Sequence, residues 1–291
     1  MSDSNRDLQQ IQARDKTSTE QKMREKLPQV LTIAGSDPSG GAGIQADIKT
    51  IHANGAYALT VLTSVTAQNT VEVASALDLP LKIIEAQVKA IFDDFDVAAV
   101  KTGMLSSKGI VKRIALLLRN HKARNLVIDP VMISKSGYAL LNPEAVQVIK
   151  SDLIPQAILV TPNIHEAETL TGMKIRKVRE AEKAAQAIMK LGCGAVLIKG
   201  GHLMEAPGCD VLCDGRKTTL LEGEFIKTSN THGTGCTYAS AIATHLALGK
   251  PLIEAVREAK AYITEAIRHG LSLGHGHGPT DHFYFLKRPG S

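Results

Sequence analysis

The chain has 291 residues, of which 44% are hydrophobic and 22% are charged, and its formal net charge at pH 7 is +5. That size suits one large α/β domain or two small ones. The positive charge is thinly spread and aromatic residues make up only 3% of the chain, which argues against a nucleic-acid groove. No apolar run approaches the roughly 20 residues that a membrane-spanning helix needs, so we expect a soluble protein without a membrane segment.

The first 27 residues form a polar segment of mixed charge. It lacks the apolar stretch of a secretory signal and the acid-poor composition of a transit peptide. We therefore predict a disordered extension over residues 1–27. Residues 28–291 contain no long linker, repeat or low-complexity block, which favours a single domain.

From Pro28 onward, β-rich apolar runs alternate with segments of helical periodicity. This alternation is typical of a mostly parallel sheet covered by helices on both faces, a three-layer α/β/α sandwich. The predicted strands are 30–35, 58–66, 97–101, 126–129, 158–161 and 195–199, followed by a hairpin of 211–213 and 218–221 around Asp214-Gly215. The predicted helices are 44–54, 81–95, 108–121, 143–151, 164–171, 178–191, 236–248 and 252–270. Ligands of such sheets bind beyond the carboxyl ends of the strands.

A glycine-rich turn, Ala34 to Gly43, follows the first predicted strand directly. Its glycines allow the backbone to approach a ligand closely. Gly41-x-Gly43-x-x-Ala46 matches a relaxed dinucleotide-binding pattern, but the acidic residue expected about 20 residues later is missing, so a NAD site is disfavoured. A tight turn without a ligand is the plainer alternative.

The segment Thr231-His-Gly-Thr-Gly-Cys-Thr237 leads straight into an apolar helix. Backbone N–H groups at a helix N-terminus form an anion site suited to a phosphoryl group in transfer. No Walker A pattern occurs, which disfavours a P-loop protein. The helix dipole is expected to lower the thiol pKa of Cys236, although a small buried residue explains that position equally well.

Three further segments carry weaker signals at predicted strand ends. Glu166, one turn into a helix, could hold Mg²⁺, although an acid there is more commonly a partner of the helix dipole. Asp129 could serve the same metal, and Lys199, followed by two glycines, could neutralise a triphosphate. The four cysteines form no C-x-x-C pair, which indicates neither zinc nor disulfides and fits a reducing, cytoplasmic setting.

Taken together, these segments resemble the ribokinase-like superfamily from about Leu31 to Phe285. The motifs that carry the resemblance are Gly35 to Gly43, Gln68-Asn69, Lys101-Thr-Gly-Met104, Asp129-Pro-Val, Asn163-x-x-Glu166, Lys199-Gly-Gly-His and Gly233-Thr-Gly-Cys236. Thr66-Ala-Gln-Asn-Thr70, His232 to Cys236 and Gly278-Pro279…His282-Phe283 look like the hydroxymethylpyrimidine-phosphate kinase family of thiamine biosynthesis.

That resemblance implies ATP, Mg²⁺ and two successive phosphorylations of 4-amino-5-hydroxymethyl-2-methylpyrimidine. Gln68 should bind the ring, because an amide offers both a donor and an acceptor. The other residues implied for this pocket are Gly35, Ala42, Asp47, Thr66 and Met104. Thr66 stands where a more apolar residue is usual, so we expect its backbone to make the contact.

On the phosphate side, the resemblance implies an anion hole of Gly233, Thr234, Gly235 and Cys236, with Cys236 in place of the catalytic Asp of most ribokinase-like enzymes. Asn163, Lys199 and Thr231 should bind ATP, and Glu166 and Asp129 should hold Mg²⁺. A homodimer is also implied. The rival interpretations are a pyridoxal or pyridoxine kinase, against which Gln68 argues, and a non-catalytic vitamin-precursor binding protein.

Overall fold

The computed structural model describes residues 27–134, 137–201, 203 and 205–286. The predicted extension lies almost wholly outside the described residues, as does His202 of the Lys-Gly-Gly-His motif. Disorder of the extension therefore stays a prediction.

The described strands form one sheet of nine, in the order β3-β2-β1-β4-β5-β6-β7-β8-β9. Strands β1, β2 and β4 to β7 are parallel, whereas β3, β8 and β9 pair in the antiparallel sense at the two edges. The strand bounds are β1 (Gln29–Ser36), β2 (Tyr57–Gln68), β3 (Val73–Asp78), β4 (Val97–Thr102), β5 (Leu126–Ile128), β6 (Leu159–Val160), β7 (Val196–Ile198), β8 (Asp210–Cys213) and β9 (Thr218–Leu221). The prediction of one mostly parallel sheet is confirmed, but β3 was not predicted.

The helices connect these strands close to the predicted bounds. They are α1 (Gly43–Ala53), α2 (Leu81–Asp94), α3 (Lys108–Asn120), α4 (Pro143–Val148), α5 (Ile164–Thr171), α6 (Val178–Met189), α7 (Thr234–Ala247) and α8 (Leu252–Arg268). The predicted helix 143–151 is instead α4 followed by a π-helical turn, Ile149–Leu153. Within the described parts of the chain, none of the helices combines the length and hydrophobicity of a membrane span.

Two apolar cores, one on each face of the sheet, hold the layers together. Leu31 and Ile33 of β1 pack in the core with α2 to α6, whereas Val30 points the other way, into the core with α1, α7 and α8. This follows from the two-residue side-chain period of a strand. The predicted three-layer α/β/α sandwich is confirmed.

The helix starts at the carboxyl edge of the sheet are fixed by local chemistry. Asn163 caps α5, accepting a hydrogen bond from the Glu166 N–H, while the Glu166 carboxylate accepts one from the Asn163 N–H. Gly172 ends the same helix in the left-handed conformation (φ 73°). These caps fix where α5 begins after β6 and where it ends.

Candidate active site

The two glycine-rich segments, which follow β1 and precede α7, are in direct contact. A Cβ atom on Gly233, where φ is +77°, would lie 1.7 Å from the carbonyl oxygen of Gly41. A Cβ atom on Gly41 would lie 2.3 Å from Cδ2 of the His232 ring. Only glycine permits this approach, so the segments predicted to bind substrate and phosphate belong to one site.

The residues of the predicted anion hole lie at the N-terminus of α7. Gly233, Thr234, Gly235 and Cys236 form the start of this helix, where N–H groups have no partner inside the helix. The hydroxyl of Thr234 donates to the carbonyl oxygen of Thr231 at 2.8 Å. Thr231 therefore braces the turn that holds these N–H groups in place.

Lys199 and Asp129 stand opposite this helix start. A Cβ atom on Gly235 would lie 3.3 Å from Lys199 Nζ and 3.5 Å from Asp129 Oδ2. Lys199 Nζ donates to Asp129 Oδ1 at 2.7 Å. Asp129 is only 1% exposed, and its Oδ2 is buried without a hydrogen-bond partner. A buried carboxylate oxygen without a partner is unfavourable unless a ligand satisfies it.

Glu166 is both a helix cap and a member of this charged group. Burial raises its pKa to about 7, with Lys199 acting in the opposite direction and Asp129 adding to the rise. The two carboxyl groups suit Mg²⁺, which binds through one or two carboxylates, water and substrate phosphates. No group of three or more His, Cys, Asp or Glu suited to a metal occurs among the described residues.

The helix-dipole argument for Cys236 is wrong. Burial raises the pKa of its thiol to about 11, and the ammonium group of Lys101 offsets only part of that rise. The carboxylates of Asp47 and Asp129 raise it further. At pH 7 the thiol is therefore neutral, because desolvation outweighs the dipole.

Asp47 lies beneath the pocket, which corrects the prediction that it contacts the substrate. It is fully buried, as is Lys101. One carboxylate oxygen accepts hydrogen bonds from Thr32 (2.6 Å) and Lys101 (2.9 Å), and the other accepts from Ser240 (2.7 Å) and Lys101 (2.9 Å). Asp47 is thus a structural anion that ties α1 to β1, β4 and α7.

The remaining predicted pocket residues surround the first glycine-rich turn. A Cβ atom on Gly35 would lie 2.5 Å from Met104 Cε, so the two residues are in contact. Ala42 immediately precedes α1. Gln68 ends β2, two residues after Thr66. The expectation that Thr66 acts through its backbone missed its side chain, whose hydroxyl donates to the Ser36 carbonyl at 2.7 Å.

Two site residues escaped the sequence analysis, namely Asp37 and His232. Both lie in the glycine-rich motifs, yet neither received a role. They are buried, and Asp37 Oδ2 lies 2.8 Å from His232 Nε2 across 195 positions of sequence. Their presence in the two motifs was the available signal, but the pairing itself becomes visible only in the structure.

A mostly parallel sheet with a glycine-lined helix N-terminus at its carboxyl edge, facing a lysine and two carboxyl groups, defines a ribokinase-like small-molecule kinase. The profile of the phosphomethylpyrimidine kinase family matches residues 37–281. The chain belongs to this family.

Individual relatives agree with that membership. The hydroxymethylpyrimidine/phosphomethylpyrimidine kinase of Haemophilus influenzae is 46% identical over 90% of this chain and 98% of its own length. The thiamine biosynthesis bifunctional protein ThiED of Geobacter sulfurreducens is 49% identical over 87% of this chain, which spans 52% of that longer protein. Among solved structures, an ADP complex of Bacillus subtilis pyridoxal kinase has a TM-score of 0.84 and 39% identity, covering 89% of this chain and 99% of that chain.

Proposed function

We propose that the protein is an ATP-dependent kinase that phosphorylates 4-amino-5-hydroxymethyl-2-methylpyrimidine and then converts the monophosphate to the pyrophosphate in thiamine biosynthesis. The observation that carries this proposal is the position of the α7 N-terminus. On one side it contacts the glycine-rich turn beside Gln68, and on the other it faces Lys199 and Asp129. A phosphoryl group held there lies between an acceptor pocket and a donor pocket.

On the acceptor side, Gln68 binds the ring through its amide, and Gly35, Ala42, Thr66 and Met104 shape the pocket around it. The hydroxymethyl group then points to the start of α7. Holding the two reactants in this geometry removes much of the entropic barrier to their reaction.

On the donor side, Lys199, Asn163 and Thr231 bind ATP, in keeping with the ADP complex of the similar pyridoxal kinase. Asp129 and Glu166 hold Mg²⁺, which when bound neutralises charge on the phosphates. The N–H groups of Gly235 and Cys236 stabilise the transferred phosphoryl oxygens.

Cys236 is our candidate for the group that takes the proton from the attacking alcohol. That role requires the thiolate, so the thiol, which is neutral in the free protein, has to lose its proton once the substrate is bound, and the Lys101 ammonium group acts in that direction. Cys236→Ser keeps the size of the side chain but does not ionise near neutral pH. It should lower kcat strongly for the alcohol and less for the monophosphate, whose phosphate is mostly ionised at pH 7. Equal losses in both steps would assign Cys236 to the shape of the anion hole instead.

The test of the proposed function is product analysis with the purified protein, ATP, Mg²⁺ and the pyrimidine alcohol. Monophosphate followed by pyrophosphate is expected. Single-turnover consumption of ATP separates an enzyme from a non-catalytic binding protein. If the pyrimidine is bound and no phosphorylated product forms, the kinase proposal is wrong.

A pyridoxal kinase is the second candidate, because the structural neighbour solved with ADP is one. Competition between pyridoxal and the pyrimidine alcohol distinguishes the two. We expect the pyrimidine to have the higher kcat/KM, because the Gln68 amide matches an aminopyrimidine edge. A higher kcat/KM for pyridoxal would reverse the assignment.

We further propose a homodimer that forms through the β3 edge of the sheet. Val65 of β2, Val71 of the connecting turn and Leu77 of β3 are 42%, 55% and 69% exposed. An exposed apolar edge strand commonly marks an interface. Light scattering after gel filtration should give twice the monomer mass, and Leu77→Lys should shift it towards the monomer. Wild-type protein that is monomeric at every concentration would refute the dimer.

A cytoplasmic setting is our proposal for the compartment. All four cysteines are free thiols in the structure, and the reducing cytosol keeps thiols in that form. Fractionation of cells with an antibody to the protein tests this assignment.

A further inference from the structure

We propose that Asp37, His232 and Thr66 are positioning residues that fix which end of the Gln68 amide faces which edge of the substrate. The inference rests on the proposed function, in which Gln68 reads the pyrimidine ring. The two ends of a side-chain amide have the same shape, and half a turn about the last side-chain bond exchanges them. The hydrogen-bonding neighbours of Gln68 therefore decide its orientation.

His232 presents a donor to Gln68. Asp37 is 2% exposed, and its Oδ2 lies 2.8 Å from His232 Nε2. Burial alone would raise the pKa of Asp37, but hydrogen bonds from His232 and Ser39 outweigh it and leave the pKa below its ordinary value. A carboxylate can only accept, so Nε2 carries a proton whether the imidazole is neutral or charged.

The Asp37 carboxylate is itself held in place by the turn. Its Oδ2 also accepts from the N–H of Ala42 at 2.8 Å, and its Oδ1 accepts from the N–H of Ser39 at 2.9 Å and from the Ser39 hydroxyl at 2.7 Å. With both oxygens engaged, the carboxylate cannot rotate away from the imidazole without losing these bonds. The proton on Nε2 is therefore a fixed feature of the site.

Gln68 meets this donor at one amide atom. The Gln68 Nε2 position lies 3.4 Å from His232 Nε2. The single proton on His232 Nε2 is donated to Asp37 at 2.8 Å, so an amide NH₂ group on its other side meets a donor and is repelled, whereas a carbonyl oxygen there shares that proton in a weaker three-centre contact. The side of the amide next to His232 is therefore the oxygen.

Thr66 selects the same orientation from the other side. Its hydroxyl has one proton, and the Ser36 carbonyl 2.7 Å away can only accept it. The Gln68 Oε1 position lies 3.3 Å from Thr66 Oγ1, and with the hydroxyl proton used by Ser36 an oxygen there would meet only lone pairs. The amide atom next to Thr66 is therefore the nitrogen, which donates to that hydroxyl.

An amide held this way offers the substrate an acceptor on the His232 side and a donor on the Thr66 side. The edge that fits it carries a donor and an acceptor in matching order, as the amino group and adjacent ring nitrogen of a 4-aminopyrimidine do. The 4-oxo counterpart, 5-hydroxymethyl-2-methyl-3H-pyrimidin-4-one, has the same shape with donor and acceptor reversed. The oriented amide therefore discriminates between the two rings.

The test compares these two rings as substrates and, by calorimetry, as ligands. A mismatched edge leaves buried polar groups unpaired, so wild-type protein should prefer the amino ring by about tenfold to hundredfold in kcat/KM and in Kd. His232→Leu removes the neighbour that fixes the amide oxygen, and Thr66→Val removes the one that fixes the amide nitrogen. Each substitution should bring the ratio of kcat/KM for the amino ring to that for the oxo ring towards unity, mainly through KM. His232→Gln should restore much of the preference, because its NH₂ group can donate to both Asp37 and Gln68.

His245→Gln is the matched control, because His245 is a buried histidine of α7 that lies 3.6 Å from Glu258, outside the site. It should leave the ratio unchanged. Equal use of both rings by wild-type protein, or an unchanged ratio in both His232→Leu and Thr66→Val, would overturn the orientation of Gln68 and leave the kinase proposal standing. Wild-type protein that neither binds nor phosphorylates either ring would refute the proposed function and this inference with it.

Discussion

The buried ion pair of Lys101 and Asp47 makes a quantitative prediction about stability. Both side chains are 0% exposed, and Lys101 Nζ lies 2.9 Å from each carboxylate oxygen. Burial alone would lower the pKa of Lys101, but nearby negative groups, Asp47 first and Asp129 with it, outweigh burial, so the pKa is raised and the lysine stays charged. Lys101→Met keeps much of the length of the side chain and removes the charge.

The expected loss follows from what remains after the substitution. Asp47 keeps its hydrogen bonds from Thr32 and Ser240, but its buried charge loses the compensating cation. Removing one partner of a buried pair costs about 3–5 kcal/mol of unfolding free energy. The double substitution Lys101→Met with Asp47→Leu removes both charges, so it should cost clearly less than the sum of the two single losses.

Urea unfolding followed by circular dichroism measures all three variants and gives the coupling energy of the cycle. The exposed pair Lys89 and Asp93 on α2, with side chains 68% and 52% exposed, is the matched control and should contribute about 0.3–0.5 kcal/mol. A loss below about 1 kcal/mol for Lys101→Met, or fully additive losses, would refute the argument, because either result is typical of a solvated pair.

Three further predictions concern the site. Gln68→Ala should raise KM for the pyrimidine by the equivalent of about 1–3 kcal/mol and leave KM for ATP nearly unchanged, and equal changes in both constants would contradict its role. Burial raises the pKa of Glu166 to about 7 from an ordinary 4.5, so between these values the folded protein binds more protons than the unfolded chain and loses stability as pH rises. In urea unfolding, Glu166→Gln should make the free energy of unfolding fall less with pH across this range. An unchanged dependence on pH would show that Glu166 is ionised throughout. The pKa of Cys236 near 11 predicts that its alkylation by iodoacetamide keeps accelerating beyond pH 9, and a plateau below that pH would show a lowered pKa.

Most of the fold follows from periodicity, because the buried strands and amphipathic helices carry their pattern locally. Strand β3 could not be predicted in this way, since Ala74 to Asp78 are exposed on both faces of an edge strand and show no alternation of buried and exposed residues. Its pairing with β2 is a tertiary contact. The π-helical turn at Ile149–Leu153 was also missed, because its apolar spacing continues that of α4.

For the site, too, features set by local sequence could be predicted and features set by packing could not. Glycine spacing predicted the glycine-rich turn after β1 and the α7 N-terminus, because those features depend on local backbone chemistry. The pKa of Cys236 and the burial of Asp47 could not be predicted, since both depend on how many atoms surround a group after the layers have packed. The partnership of Asp37 and His232 joins segments that sequence patterns treat separately.

The close contact between Gly41 and Gly233 also has a consequence for biosynthesis. Asp37 leaves the ribosome 195 residues before His232, a delay of about 10–40 s at about 5–20 residues per second. Throughout that interval the glycine-rich turn after β1 lacks the histidine that pairs with Asp37 and the backbone that packs against Gly41. The site is therefore completed only after the start of α7 has been synthesised, and a nascent chain paused before α7 would hold its first strands without a competent pocket.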